Sequence, residues 1–267
     1  MAIPVFRTTV SSGATDAGGA WSYTTASPAA AGRVIIAQIL QDGNTDGALT
    51  SIVGTNIENL AGTDNVWTQI TGANADGSHP VGDPAAARQF LYIGRSLSTT
   101  AATISGGNST SEDLYIRAAE FSDVNTGTAL SDVIENASAG AFVNGVGTGT
   151  SMSDADVTTL GADRLALNFR AANDDVTWTV YSGESGGTWQ NSLAYSDAAG
   201  TDGAIALERA DMVSAGTIGG ATATVSPSAS WGVVGFALIG TTPAGPATSM
   251  IYQPGLQAAI PRSLYTR

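Results

Sequence analysis

Apolar residues in this chain come in short dense runs separated by clusters of Gly, Asn, Asp and Ser, and helical spacing is not sustained anywhere. Residues 33–40 form a nearly continuous apolar run bounded by Gly32 and by Asp42-Gly43, which predicts a buried strand. Residues 89–97 alternate, with Leu91, Ile93 and Leu97 on one face and Phe90 and Tyr92 on the other. Strands are also predicted over 65–71, 114–121, 164–171, 176–181, 204–209 and 231–239. The one helical turn expected lies near residues 129–137.

The two halves of the chain look alike. Arg33-Val34-Ile35-Ile36-Ala37 resembles Arg164-Leu165-Ala166-Leu167-Asn168, and Val66-Trp67-Thr68 resembles Thr177-Trp178-Thr179. Thr103-Ile104-Ser105-Gly106-Gly107 resembles Thr217-Ile218-Gly219-Gly220, and each half closes on an apolar strand, 114–121 and 231–239. Four or five good strands per half are too few to cover both faces of a separate core. One pseudo-symmetric sandwich is therefore expected over two small ones. The predicted fold is all-β: a jelly-roll-like β-sandwich over residues 1–240, with signs of internal duplication, followed by an extended Pro-rich arm over 241–267.

That arm has its own chemistry. Pro243, Pro246, Pro254 and Pro261 rule out a helix and favour an extended path. Met250, Ile251, Tyr252, Leu256, Ile260, Leu264 and Tyr265 are more apolar side chains than a plain linker carries. They suit either a strap on the chain's own body or an arm docked on a neighbour. No acid follows Asp211, so the body holds all 23 acids and eight Arg, while the arm adds Arg262 and Arg267. The candidate assembly residues are Tyr252, Leu256, Ile260, Arg262, Leu264, Tyr265 and Arg267.

Composition narrows the function classes. The 267 residues carry a net charge of −13, and all ten basic residues are Arg. Without clustered cations a nucleic-acid partner is not expected, and an anionic membrane surface would repel the chain. No apolar window approaches a membrane span, and residues 1–10 lack the apolar stretch of a signal peptide. There is no Cys, which excludes disulfides and thiolate chemistry.

Few residues suggest a reactive site. Asp42-Gly43-Asn44-Thr45-Asp46-Gly47 places Asp42, Asn44 and Asp46 at the alternate positions that begin a calcium loop. Val53 stands where the closing carboxylate belongs, and a strand precedes the segment, so a plain Asp/Asn/Gly turn is the competing expectation. No other cofactor is expected. His79 is the only His and lies among Asn74, Asp76, Gly77, Pro80, Gly82 and Asp83, where a solvated loop residue is expected. Carboxylates adjoin at Glu112/Asp113, Asp154/Asp156 and Asp174/Asp175; seventeen of the acids are Asp, the turn-favouring one, so solvated turns are expected before a glycosidase pair. The Gly-rich residues 145–149 lack the Lys of a phosphate loop. Trp189, in a Gly-rich segment with Tyr181 and Tyr195 nearby, is a candidate platform for a sugar ring, whereas Trp67, Trp178 and Trp231 lie within strands and are expected in the core.

The series Gly32 to Leu40, Trp67-Thr68, Phe90 to Arg95 and Tyr115 to Phe121, followed by Thr158-Thr159, Arg164 to Ala171 and Trp231 to Leu238, resembles a group of phage-encoded β-sandwich proteins found among virion structural genes. The likeness covers about residues 30–240 and is one of strand pattern. It implies a non-enzymatic particle component, such as a head decoration, head spike or tail protein. Its partners would be copies of itself, other particle proteins and a host surface glycan. No catalytic residue carries over. The alternatives are a carbohydrate-binding module or a polysaccharide-active enzyme on a β-sandwich.

Overall fold

The computed structural model describes residues 2–42, 49–82, 87–135, 143–174, 176–182, 188–196, 203–219 and 222–241. It is nearly all β. The first half supplies β1 (Val5–Thr24), β2 (Val34–Asp42), β3 (Leu49–Thr55), β4 (Ile57–Glu58), β5 (Thr68–Ile70), β6 (His79–Val81), β7 (Ala87–Ser96) and β8 (Thr103–Ser122). A single turn of helix, α1 (Leu130–Val133), and β9 (Ile134–Glu135) lead into the second half. That half supplies β10 (Val143–Ser153), β11 (Val157–Thr159), β12 (Arg164–Ala172), β13 (Thr177–Ser182), β14 (Gln190–Ser196), β15 (Ala204–Met212), β16 (Gly216–Ile218) and β17 (Thr222–Ile239).

Each half builds one antiparallel sheet, and the two sheets repeat the same pairing. The first has the order β1-β8-β2-β7-β4, with β3 also on β8; the second has β10-β17-β12-β15-β14, with β13 also on β17. In the first half, first pairs with last and second with next-to-last, the pairing of a rolled-up hairpin. The long strands do the rolling. β8 lies along β1 throughout, but its other neighbour changes from β3 at residues 103–108 to β2 at 114–121. β17 likewise passes from β13 to β12.

The central strands are therefore covered on both faces, which is why their sequences run apolar without strict alternation. Between the sheets, Val34, Ile36, Leu91, Ile93, Ala119 and Phe121 meet Leu165, Leu167, Phe169, Leu207, Val234, Phe236 and Leu238. On the outer face of the first sheet, Ile35, Ala37, Ile39, Phe90, Tyr92 and Ile116 pack under Trp21, Tyr23, Ile57 and Trp67. On the outer face of the second, the β11–β16 ribbon helps cover Ala166, Trp189, Ala210 and Ala237 through Val157 and Ile218.

One sandwich built from both halves is the observed arrangement. The expectation that each half is too poor in strands to cover both faces of its own core is corrected: short strands such as β3 and β13, and the rolled ends of β1 and β8, contribute to the outer layers. Two of the internal likenesses also do not hold. Trp67 precedes a strand on β7, whereas Trp178 lies in a strand on β17; Ile104 is in β8, whereas Ile218 is in β16.

Candidate functional site

The strands define two poles. Both ends of the described chain lie at one of them. Ala2 donates its N–H to Thr241 O at 2.9 Å, and Thr241 donates to Asp123 O at 2.8 Å. Gly240 donates to Asp163 O at 3.2 Å. Asp123 and Asp163 have φ of 59° and 61°, a left-handed conformation that Asp tolerates in turns. Only Gly fits at position 240, since a Cβ there would lie 1.9 Å from Ala2 O. The 241–267 arm thus starts beside the N-terminus. Tyr252, Leu256, Ile260, Arg262, Leu264, Tyr265 and Arg267 lie outside the described residues.

The opposite pole is where β2 ends at Asp42, β7 begins at Ala87, β12 ends at Ala172 and β15 begins at Ala204. Leu40, Val81, Ala87, Tyr115, Ala171 and Ile205 close the interior there, and Gly82 N–H bonds across the sheets to Trp231 O at 2.9 Å. The calcium expectation falls at this pole. Asp16 is registered opposite Asp113, and Asp42 lies one step past the Gln41–Leu114 pair, so three Asp positions adjoin on β1, β8 and β2. Asn44 and Asp46 lie outside the described residues. Among the described residues no three His, Asp or Glu are grouped to hold a metal ion.

His79 is not the solvated loop residue expected from its polar neighbours. It begins β6, is fully buried, and its Nε2 lies 3.2 Å from Ile70 O. The neighbouring loop is polar because it turns, through Asp76 and Ser78: the Ser78 N–H and Oγ both donate to Asp76 Oδ1, at 2.9 and 2.6 Å. Arg88 pairs with the other oxygen at 2.9 Å. Burial alone would raise the Asp76 pKa, but the Ser78 bonds and the Arg88 charge hold it below its usual value.

Trp189 is likewise corrected. It is 6% exposed, packs with Ala166, Met212 and Ile218, and donates its indole N–H to Gly219 O at 2.9 Å. A ring held this way cannot stack on a sugar. Tyr181 and Tyr195 lie in β13 and β14, which pair with different strands, β17 and β15.

The strongest assembly of charge is one that sequence spacing did not bring together. Arg170, near the C-terminal end of β12, is fully buried. Its Nε donates to Asp154 Oδ1 at 2.7 Å, one Nη bonds Asp154 Oδ2, and the same Nη reaches Glu208 Oε2 at 2.5 Å. Glu208 comes from β15, next to β12 in the sheet, and Asp154 from the segment between β10 and β11. Asn168 bonds Ala155 O and fixes that segment. Sequence reading paired Asp154 with Asp156 as solvated turn acids, but Asp156 is exposed while the Asp154 side chain is sealed. The signal available was an Arg and a Glu inside two mostly apolar runs. Such residues are rarely buried unless paired.

Chemically this cluster is a clamp. Both carboxylates are bound to one guanidinium and have essentially no exposed surface, so neither reaches a substrate. The other buried acids are held the same way. Arg164 pairs with Glu135 at 2.5 Å, and Glu120 accepts from Ala29 N–H beside Arg33. Between the sheets, Gln38 bonds Gln89 and also Arg170 O at 2.7 Å. Arg117 shares that belt, and burial pushes its guanidinium down to about 9 despite a raising influence from Tyr23. Comparison with family models, with curated proteins and with solved structures gives no match to this chain.

Proposed function

We propose that this chain is a non-enzymatic structural component of a phage or phage-like particle, such as a head decoration, head spike or tail protein, fastened at one pole by its C-terminal arm. The observation that carries it is the shared location of Ala2 and Thr241: with Asp123 and Asp163 they are tied together by backbone hydrogen bonds, so the arm follows from a fixed point on the body. A cationic, apolar, Pro-rich segment leaving an acidic body is suited to docking on the acidic surface of a neighbour, because Pro lowers the entropy lost on holding it extended. With that pole anchored, the opposite one faces outward, free for contact with a host surface. The sealing of Asp154, Glu208 and Glu135 in ion pairs supports a structural role for the acids it involves.

Removing residues 246–267 tests this. The shortened chain should keep its β-rich circular dichroism, because the strand series ends at Ile239. It should lose attachment in immunogold images of particles. A shortened chain that attaches like the full one would make the arm a strap on its own body and remove the basis of the proposal.

A further inference from the structure

The two sheets end on equivalent edge strands that are protected very differently. β1 is the edge of the first sheet; it carries Arg7 and Asp16, and its register with β8 shifts at three places. Such bulges and charges are how an edge avoids pairing with another chain. β10 is its counterpart in the second sheet and pairs, among the described residues, with β17 alone. Its eleven residues, Val-Asn-Gly-Val-Gly-Thr-Gly-Thr-Ser-Met-Ser, include no charge and no Pro. Its only register shift lies between Gly149 and Ser151, which leaves Val143 to Gly149 regular and open. Within β10 the glycines have a local cause: a Cβ on Gly147 would lie 2.4 Å from Trp231, which spreads beneath the strand. The intervening Val146, Thr148 and Thr150 are exposed, Val146 at 40%.

We infer that the β10 edge is a contact between two copies of this chain, paired antiparallel about a two-fold axis through Val146. Among the described residues the edge has a row of backbone donors and acceptors with no strand paired to it, and a second β10 presents the same row reversed. Centring on Val146 sets the two exposed valines opposite each other, Gly145 against Gly147 and Asn144 against Thr148, all uncharged. Charge selects the place. Two bodies of net negative charge approach with least repulsion through a strip that has none. The contact involves the body alone, so it goes beyond the arm-based anchoring proposed above.

The absence of Cys from the sequence allows a direct test in the full-length chain. Val146→Cys, under mild oxidation, should give a disulfide-linked dimer, because residues directly opposite in an antiparallel pair are within about 4.5–5.5 Å at Cα. Ser22→Cys on the β1 edge should give none. Val146→Lys sets two cations against each other and should weaken dimerisation in sedimentation velocity at least tenfold, while Val146→Thr leaves it unchanged. Absence of the Val146→Cys dimer, or a Val146→Lys chain that dimerises like the parent, overturns the inference. If the arm occupies this edge instead, Val146→Cys finds no second thiol and the dimer does not form. Cross-linking thus reads the β10 contact separately from the fate of the arm.

Discussion

Where the first half buries Ile39 between Phe90 and Ile116, the second half buries Arg170 between Ala206 and Val233. The register makes these the same positions, counted from Val34 in one sheet and Leu165 in the other. One step along, Ala37 and Tyr92 in the first half correspond to Asn168 and Glu208 in the second. At these positions one rolled sheet fills its outer layer with aromatic and aliphatic volume, and its twin sets an ionic cluster beside Ala206 and Val233, with Trp178, Trp189 and Trp231 elsewhere in the layer. The backbone pairing tolerates both because it demands only that the layer be filled and its polar atoms satisfied. The energetic consequences differ. The apolar layer gains by transfer from water and degrades gradually when trimmed. The ionic layer lost hydration for three charged groups and holds only while all three are present.

The largest expected effects break that ionic layer one member at a time. Arg170→Ala leaves two buried carboxylates without their shared cation and should cost about 3–5 kcal/mol in denaturant unfolding, with Glu208→Ala in the same range. Phe90→Ala in the apolar layer should cost about 3–5 kcal/mol, as a cavity rather than an uncompensated charge. The two are separated by a double substitution: Asp154→Asn should reduce the Arg170→Ala penalty and leave the Phe90→Ala penalty unchanged. An Arg170→Ala penalty that is the same with and without Asp154→Asn would contradict the ionic account.

Smaller effects probe the poles. Gly240→Ala should cost about 1–3 kcal/mol, because the added methyl meets backbone carbonyls that cannot swing aside. It should also raise hydrogen exchange at Ala2 and Thr241, which rest on that junction. The smallest concerns Asp76. Its pKa is depressed in the folded state, so its contribution is present above the ordinary carboxylate value of 3.8 and lost as pH falls through the lower folded value. Asp76→Asn should therefore cost under about 1 kcal/mol at neutral pH and nothing at strongly acid pH. An equal cost at both would assign the effect to geometry instead of charge.

The strands that were legible in the sequence are the ones buried on both faces. Residues 33–40, 89–97, 164–171 and 204–209 correspond to β2, β7, β12 and β15, and the closing runs 114–121 and 231–239 are equivalent in register as well as in sequence. β1 and β10 are rich in Thr, Ser and Gly, β3 and β14 mix such small polar residues with a few apolar ones, and none carries a strong periodic signal, yet they complete the layers. Their strand character comes from pairing with a long neighbour, which local propensity does not record. Candidate sites were less legible for the same reason. His79 and Trp189 sit among turn residues in sequence, but tertiary packing buries both. The Arg170 cluster joins residues 16 and 38 positions apart, which only the sheet order brings together.

Asp154 and Glu208 are sealed around Arg170, which makes them framework if the proposed function resides in the surfaces of the body and the arm. The most direct test replaces the whole cluster at once, with Arg170→Met, Asp154→Leu and Glu208→Leu in one chain. Unfolding free energy and sedimentation velocity are then measured on the same sample. The account predicts a chain as stable as the parent or more stable by about 1–4 kcal/mol, as exchange of a buried ion cluster for apolar volume allows, and unchanged in assembly. A triple variant that is folded and stable yet fails to assemble or to attach to its particle would show that these charges act in function, and would contradict the account.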